Sequence, residues 1–93
     1  MRLMLKFAIP VARGNAAAAD GTLGRAIESL MQKIKPEAAY FTLVDGQRGG
    51  LVFFEVADSA ALPKINEPMF AALDAAIEIV PVMNADELKR GLS

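Results

Sequence analysis

Residues 38–57, AAYFTLVDGQRGGLVFFEVA, decide how this chain folds. AAYFTLV is aromatic and β-compatible, and GLVFFEVA is almost continuously apolar. Between them Asp45-Gly46 opens a short turn that takes in Gln47 and Arg48. Asp-Gly between two such runs is a hairpin signal. Arg48-Gly49-Gly50 reads as a turn or a bulge. A run apolar on both sides reads as a central strand.

Working toward the N-terminus, residues 2–11 alternate: Leu3, Leu5, Phe7 and Ile9 share one face, and Met4, Lys6 and Ala8 the other. Period two marks a strand. Pro10 ends it, because proline offers no N–H to a neighbour. Residues 12–21, ARGNAAAADG, read as a transition, with Gly14 and Asn15 turning the chain and Asn15 placed as a helix N-cap. From Thr22 the pattern is helical, with Leu23, Ile27, Leu30, Met31 and Ile34 in one stripe. Pro36 stops that helix near Lys35.

Toward the C-terminus, Asp58-Ser59 supplies the cap of a second helix whose stripe is Leu62, Ile65, Met69 and Leu73. Pro63 suits a first turn. Pro68 does not suit a helix interior, so a break or kink is expected near Asn66-Glu67. Residues 76–83, AIEIVPVM, form the last strand, and NADELKRG reads as a short helix. There Asn84 caps, Glu87 takes the capping-box position and Gly91 ends the helix.

The order is β-α-β-β-α-β, the split βαβ pattern of an α+β domain. Right-handed crossovers place strand one beside strand three. The sheet is then antiparallel with order 4-1-3-2, two helices on one face, all in a single domain over residues 1–93. The helix face takes Leu3, Leu5, Phe7, Ile9, Phe41, Leu43, Val52, Phe54, Val56, Ile77 and Ile79, an apolar set. The open face takes Met4, Ala8, Val44, Leu51, Phe53, Val80 and Val82 beside Lys6, Tyr40, Thr42, Glu55 and Glu78. Left bare, so apolar a face is a sticky patch. A homodimer packed sheet to sheet covers it.

Composition narrows the chemistry. The 93 residues include no Cys and no His. That excludes disulfides, Cys/His metal sites and His-based triads, and leaves Asp, Glu, Lys or Tyr as any acid or base. A net charge of −1 argues against a nucleic-acid binder, which shows a basic stripe. The apolar opening MRLMLKFAIPV is interrupted by Arg2 and Lys6 and is too short for a signal peptide or a membrane span. A cytoplasmic protein without membrane contact is expected.

MRLMLKFAIP, YFTLVDGQRGGLVFFEVAD and LPKINEPMFAALDAAIEIVPVM together resemble the dimeric α/β-barrel superfamily, in which two ferredoxin-like units pack sheet to sheet. The last of these stretches is similar to muconolactone-isomerase-like and uncharacterised small members. The resemblance implies a ferredoxin-like fold and a dimeric α/β barrel. The superfamily spans isomerases, cofactor-free or haem-handling oxygenases and ligand sensors. Without His, haem-ligating and His-based mechanisms do not transfer, so no catalytic residue is carried over and no cofactor or metal is expected.

Four residues are candidates for a cavity on the open face: Lys6, Tyr40, Glu55 and Glu78. If registers align, Lys6 is flanked by both carboxylates. One reading is a cross-strand charge ladder worth ~0.2–1 kcal/mol per pair. The other is a buried Lys-Glu group with shifted pKa values. The Tyr40 hydroxyl could orient a ligand, or its ring simply pack at an interface. Arg13 and Asn15, at the entrance to the first helix, are candidates for anion binding, with ordinary capping as the alternative. The chain thus reads as a homodimeric structural, sensing or small-molecule-binding module, taking a small hydrophobic ligand where it binds one. The alternative is an isomerase or cofactor-free oxygenase with Glu55 or Glu78 as base, Lys6 as stabiliser and Tyr40 as donor.

Overall fold

A computed structural model describes residues 1–93 in the order β1 (Arg2–Ile9), α1 (Val11–Asp20), α2 (Thr22–Ile34), β2 (Ala38–Val44), β3 (Gln47–Glu55), α3 (Ala61–Leu73), β4 (Ala76–Pro81) and α4 (Ala85–Gly91). The sheet order is β2-β3-β1-β4 with every neighbouring pair antiparallel. This is the ferredoxin-like α+β fold, with α1, α2 and α3 on one face of the sheet.

The hairpin that decides the topology is tighter than its sequence suggests. Val44 pairs with Gln47, so the turn is Asp45-Gly46 alone, with φ of 53° and 75°. Both residues sit in the left-handed region, as a two-residue turn matched to strand twist requires. Gln47 and Arg48 therefore belong to β3, and Arg48-Gly49-Gly50 is neither a turn nor a bulge. Register runs unbroken there, Gly49 lying between Ala8 and Thr42 and Gly50 between Phe7 and Phe41. The two glycines serve close approach instead. A Cβ on Gly49 would stand 2.2 Å from the Phe7 carbonyl oxygen and 2.8 Å from a Val44 methyl. Over Gly50 the rings of Phe7 and Phe41 meet edge to face, centroids 6.4 Å apart.

The core follows the alternation of β1. Leu5, Phe7 and Ile9, with Val52 and Phe54 of β3 and Met69 and Leu73 of α3, are fully buried. Two expected core residues are not: Phe41 is 55 % exposed and Leu43 70 %. Both point to the helix side, but β2 is an edge strand. Ala39, near its start, is partly buried against the core cluster, and Phe41 keeps only an edge contact with the Phe7 ring.

The segment read as a transition is a helix. Five alanines over Val11–Asp20 favour helix more than Gly14 and Asn15 oppose it. Pro10 occupies the N-cap position, and the Gly14 N–H donates to its carbonyl at 2.8 Å. Asn15 is thus inside α1 rather than its cap. Gly14 makes room for a side chain: a Cβ there would be 2.7 Å from Nη1 of Arg48. The chain turns instead at Gly21, whose φ of 84° separates α1 from α2.

Nor does Pro68 break α3, which is helical from Ala61 to Leu73. Proline at this position leaves the Lys64 carbonyl without its N–H donor. The ammonium of Lys33, on the neighbouring α2, donates to that oxygen at 2.9 Å. The α4 capping box forms as read: Asn84 Oδ1 accepts from the Glu87 N–H, and Glu87 Oε1 accepts from the Asn84 N–H. No helix is long and apolar enough to cross a membrane.

Candidate functional site

Strand register gathers most of the candidate cavity residues into one row. Lys6 lies directly opposite Glu78 on one side and Leu51 on the other, and Leu51 lies opposite Tyr40. The row Tyr40–Leu51–Lys6–Glu78 therefore crosses all four strands on the open face. Its neighbouring rows are Ala38–Phe53–Met4–Val80 and Thr42–Gly49–Ala8–Ala76. The charged pair is thus set between apolar and small residues.

The Lys6 ammonium stands 3.8 Å from Glu78 Oε2, and the Glu78 side chain is 73 % exposed. An exposed pair at that spacing contributes well under about 1 kcal/mol. Beside it the face is hollow. Lys6, Ala8, Val44, Asp45, Ala76 and Glu78 line a depression of about 290 Å³. Gly49, next to Ala8 in the ladder, leaves room for the Val44 side chain, a methyl of which would stand 2.8 Å from a Cβ there. Val44 leans over it, and Ala8 is buried although it faces away from the helices.

Glu55 does not join this group. It lies opposite Arg2, and its carboxylate meets the Met1 amino group at 3.2 Å and Arg2 Nη2 at 4.0 Å. Lys6 is thus flanked by one carboxylate and not by two, because Glu55 is four residues further along the ladder. Tyr40 is 63 % exposed. It borders a second depression on the same face, with Arg2, Glu37, Phe53, Val82 and Asn84.

Arg13 and Asn15 are held apart from one another. Arg13 Nε and Nη2 donate to the Ala72 carbonyl at 2.9 and 2.6 Å, fastening α1 to the last turn of α3. Asn15 Oδ1 accepts from Arg48 Nη2 at 3.0 Å. The one shifted carboxylate near them is Asp20, held below its usual range by hydrogen bonds from Thr22.

Arg2 is the polar centre that sequence reading missed. Its guanidinium reaches Glu37 at 2.6 Å, makes a close ion pair with Glu87 and lies within 4.0 Å of Glu55. These partners come from the β2 approach, from α4 and from β3, so no local spacing announces them. The Arg2 pKa is raised by its bonds to Glu87 and Glu37. The Glu87 carboxyl is lowered first by the Asn84 N–H and then by Arg2. No group of three or more acidic side chains is placed to hold a metal ion.

No protein-family model matches the chain, and no curated protein matches it in sequence. Among solved structures, the chain is similar to a de novo designed protein, Ferredog-Diesel, with a TM-score of 0.50, 9 % identity, and 87 % of this chain and 85 % of that one covered. It also aligns with a protein of Deinococcus radiodurans, described as a candidate antibiotic biosynthesis monooxygenase. That match has a TM-score of 0.47, 13 % identity, and 91 % and 95 % coverage. The designed protein carries the architecture and nothing more, so the likeness is one of fold.

Proposed function

We propose that this chain is a homodimeric small-molecule-binding module in which two open sheet faces pack together and enclose the Lys6 row. The observation that carries the reading is the composition of that face. Met4, Leu51, Phe53 and Val80 surround one Lys-Glu pair on the face turned away from the core that α1, α2 and α3 build. Ligand sites are largely apolar with few polar groups to fix orientation. Here Lys6, Glu78 and the Tyr40 hydroxyl are those groups, and a small hydrophobic molecule with one hydrogen-bonding end is the ligand class. Binding is favoured over catalysis because Glu78 is solvated and ion-paired and Glu55 is engaged at the Met1–Arg2 end. Neither is held as a desolvated base of the kind acid–base chemistry uses.

Sedimentation and native mass spectrometry of the intact chain test both halves. The expected result is a dimer that Phe53→Lys converts to a folded monomer, because residue 53 faces away from the core. A wild-type monomer at micromolar concentration refutes the dimer. A dimer whose small-molecule affinity is unchanged by Lys6→Met and Tyr40→Phe refutes the site.

A further inference from the structure

The opposite side of the sheet carries a second cavity, independent of the Lys6 row. It opens where the end of β3 leaves the helical layer, between the last turn of α2 and the first turns of α3. Its volume is about 510 Å³, within the usual ~300–1,000 Å³ of small-molecule sites. The walls are Ile34 of α2, Phe54 of β3, Val56 just past that strand, and Ala61 and Ile65 of α3. Phe54 and Ile65 are themselves buried, so the floor of the cavity is continuous with the core.

The charged lining is uneven. Lys33 and Lys64 stand on it with a single carboxylate, Glu55. Glu55 is already drawn to the Met1 amino group and Arg2, which leaves the rim positive. Lys33 is also fixed in place. Its ammonium donates to the Lys64 carbonyl that Pro68 leaves free, and an ammonium keeps two further N–H donors after one bond. A largely apolar open groove with two ammonium groups on its rim suits one class of molecule.

We infer that this cavity binds a small aliphatic carboxylate, its chain against Phe54, Ile34 and Ile65 and its head on Lys33 and Lys64. A neutral alkane derivative would fill the groove and leave the lysines unpaired. An alkyl ammonium would meet like charge at the rim. Nucleotides are poorly matched, because the walls offer no glycine-rich phosphate loop. The inference stands whether or not the open face forms a dimer, because the two sites lie on opposite sides of the sheet.

The test is a titration of the full chain with sodium octanoate below its micellar range, followed by methyl and amide NMR at low ionic strength. Saturable shifts centred on Ile34, Val56, Ala61 and Ile65 are expected, with 1-octanol and octylammonium each binding about tenfold more weakly, the effect of one charge-assisted contact. Lys64→Gln should lose a similar factor for octanoate and none for octanol, with the methyl spectrum otherwise intact. Absence of saturation, equal affinity for octanoate and octanol, or shifts confined to Met4, Leu51 and Val80 would overturn the assignment. The last pattern would place the ligand on the open face instead.

Discussion

Replacing Lys33 by Met deletes one hydrogen-bond donor while keeping the aliphatic stem against α3. The Lys64 carbonyl then has no protein partner, because residue 68 is proline. A hydrogen bond involving a charged group is worth about 1.5–3 kcal/mol when it cannot be replaced. This one is exposed, so water recovers part of it and the expected loss is about 0.5–1 kcal/mol. In a domain of this size that lowers Tm by roughly 2–8 °C. Pro68→Ala restores the missing N–H within α3 and should stabilise the fold by about 1–3 kcal/mol, up to the usual cost of an interior proline. In that background Lys33 has nothing left to satisfy, and Lys33→Met should cost close to zero. Urea unfolding of the four proteins, followed by circular dichroism, gives the coupling directly. Equal costs of Lys33→Met in both backgrounds would show that Lys33 does not serve the carbonyl. A destabilised Pro68→Ala protein would show that packing of the ring outweighs the lost N–H.

Other perturbations read other parts of the structure. Gly49→Ala places a methyl 2.2 Å from the Phe7 carbonyl oxygen, so it should cost about 1–3 kcal/mol or more as overpacking against backbone, measured by the urea midpoint. Arg13→Met strips the Ala72 carbonyl of both its side-chain donors and should cost about 1 kcal/mol, with α1 amides gaining hydrogen exchange before α2 amides. Glu87 has its folded pKa depressed below the ordinary 4.5 by the Asn84 N–H and Arg2. Its contribution is therefore fully present above the unfolded value and lost as pH falls through the folded one. Amide exchange of α4 should stay slow from neutral pH to about pH 5 and accelerate below about pH 4, relative to β1. Unchanged relative protection of α4 at pH 3 would count against the Arg2–Glu87 tether.

The sheet was legible because its cues are local. Period-two alternation in β1, the Asp45-Gly46 turn and the helical stripe of Leu23 to Ile34 each need only neighbouring residues, and right-handed crossovers then fix the order. The errors came where a distant residue decides. Pro68 predicts a break until Lys33 is seen to reach across from α2. Gly14 reads as a turn until Arg48 is placed beside it. Gly49 and Gly50 read as a turn or a bulge until Phe7, Val44 and Phe41 are seen to need their space. Phe41 and Leu43 share the parity of core residues, but parity does not say how far along an edge strand the helices extend. The candidate site was half legible. Parity put Lys6, Tyr40, Glu55 and Glu78 on one face, and only the actual register separated Glu55 from the others. Arg2 escaped because its carboxylates are 35, 53 and 85 residues away in sequence.

The ladder of β1 also orders events during synthesis. One edge of the strand pairs with β3, out to Glu55, and the other waits for Ala76–Pro81. At roughly 5–20 residues per second, the first strand leaves the ribosome seconds before its last partner is made. During that interval Leu3, Leu5, Phe7 and Ile9 have no complete shelter, and one row of their backbone groups is unpaired. The β2–β3 hairpin, closed by two residues, can form in about 1–10 μs and is the earliest platform for β1 to dock on. A nascent chain held with β3 outside the ribosome and Ala76–Pro81 not yet emerged would thus be a three-stranded sheet with an open apolar edge strand, the form in which it is most exposed to chaperones and to aggregation.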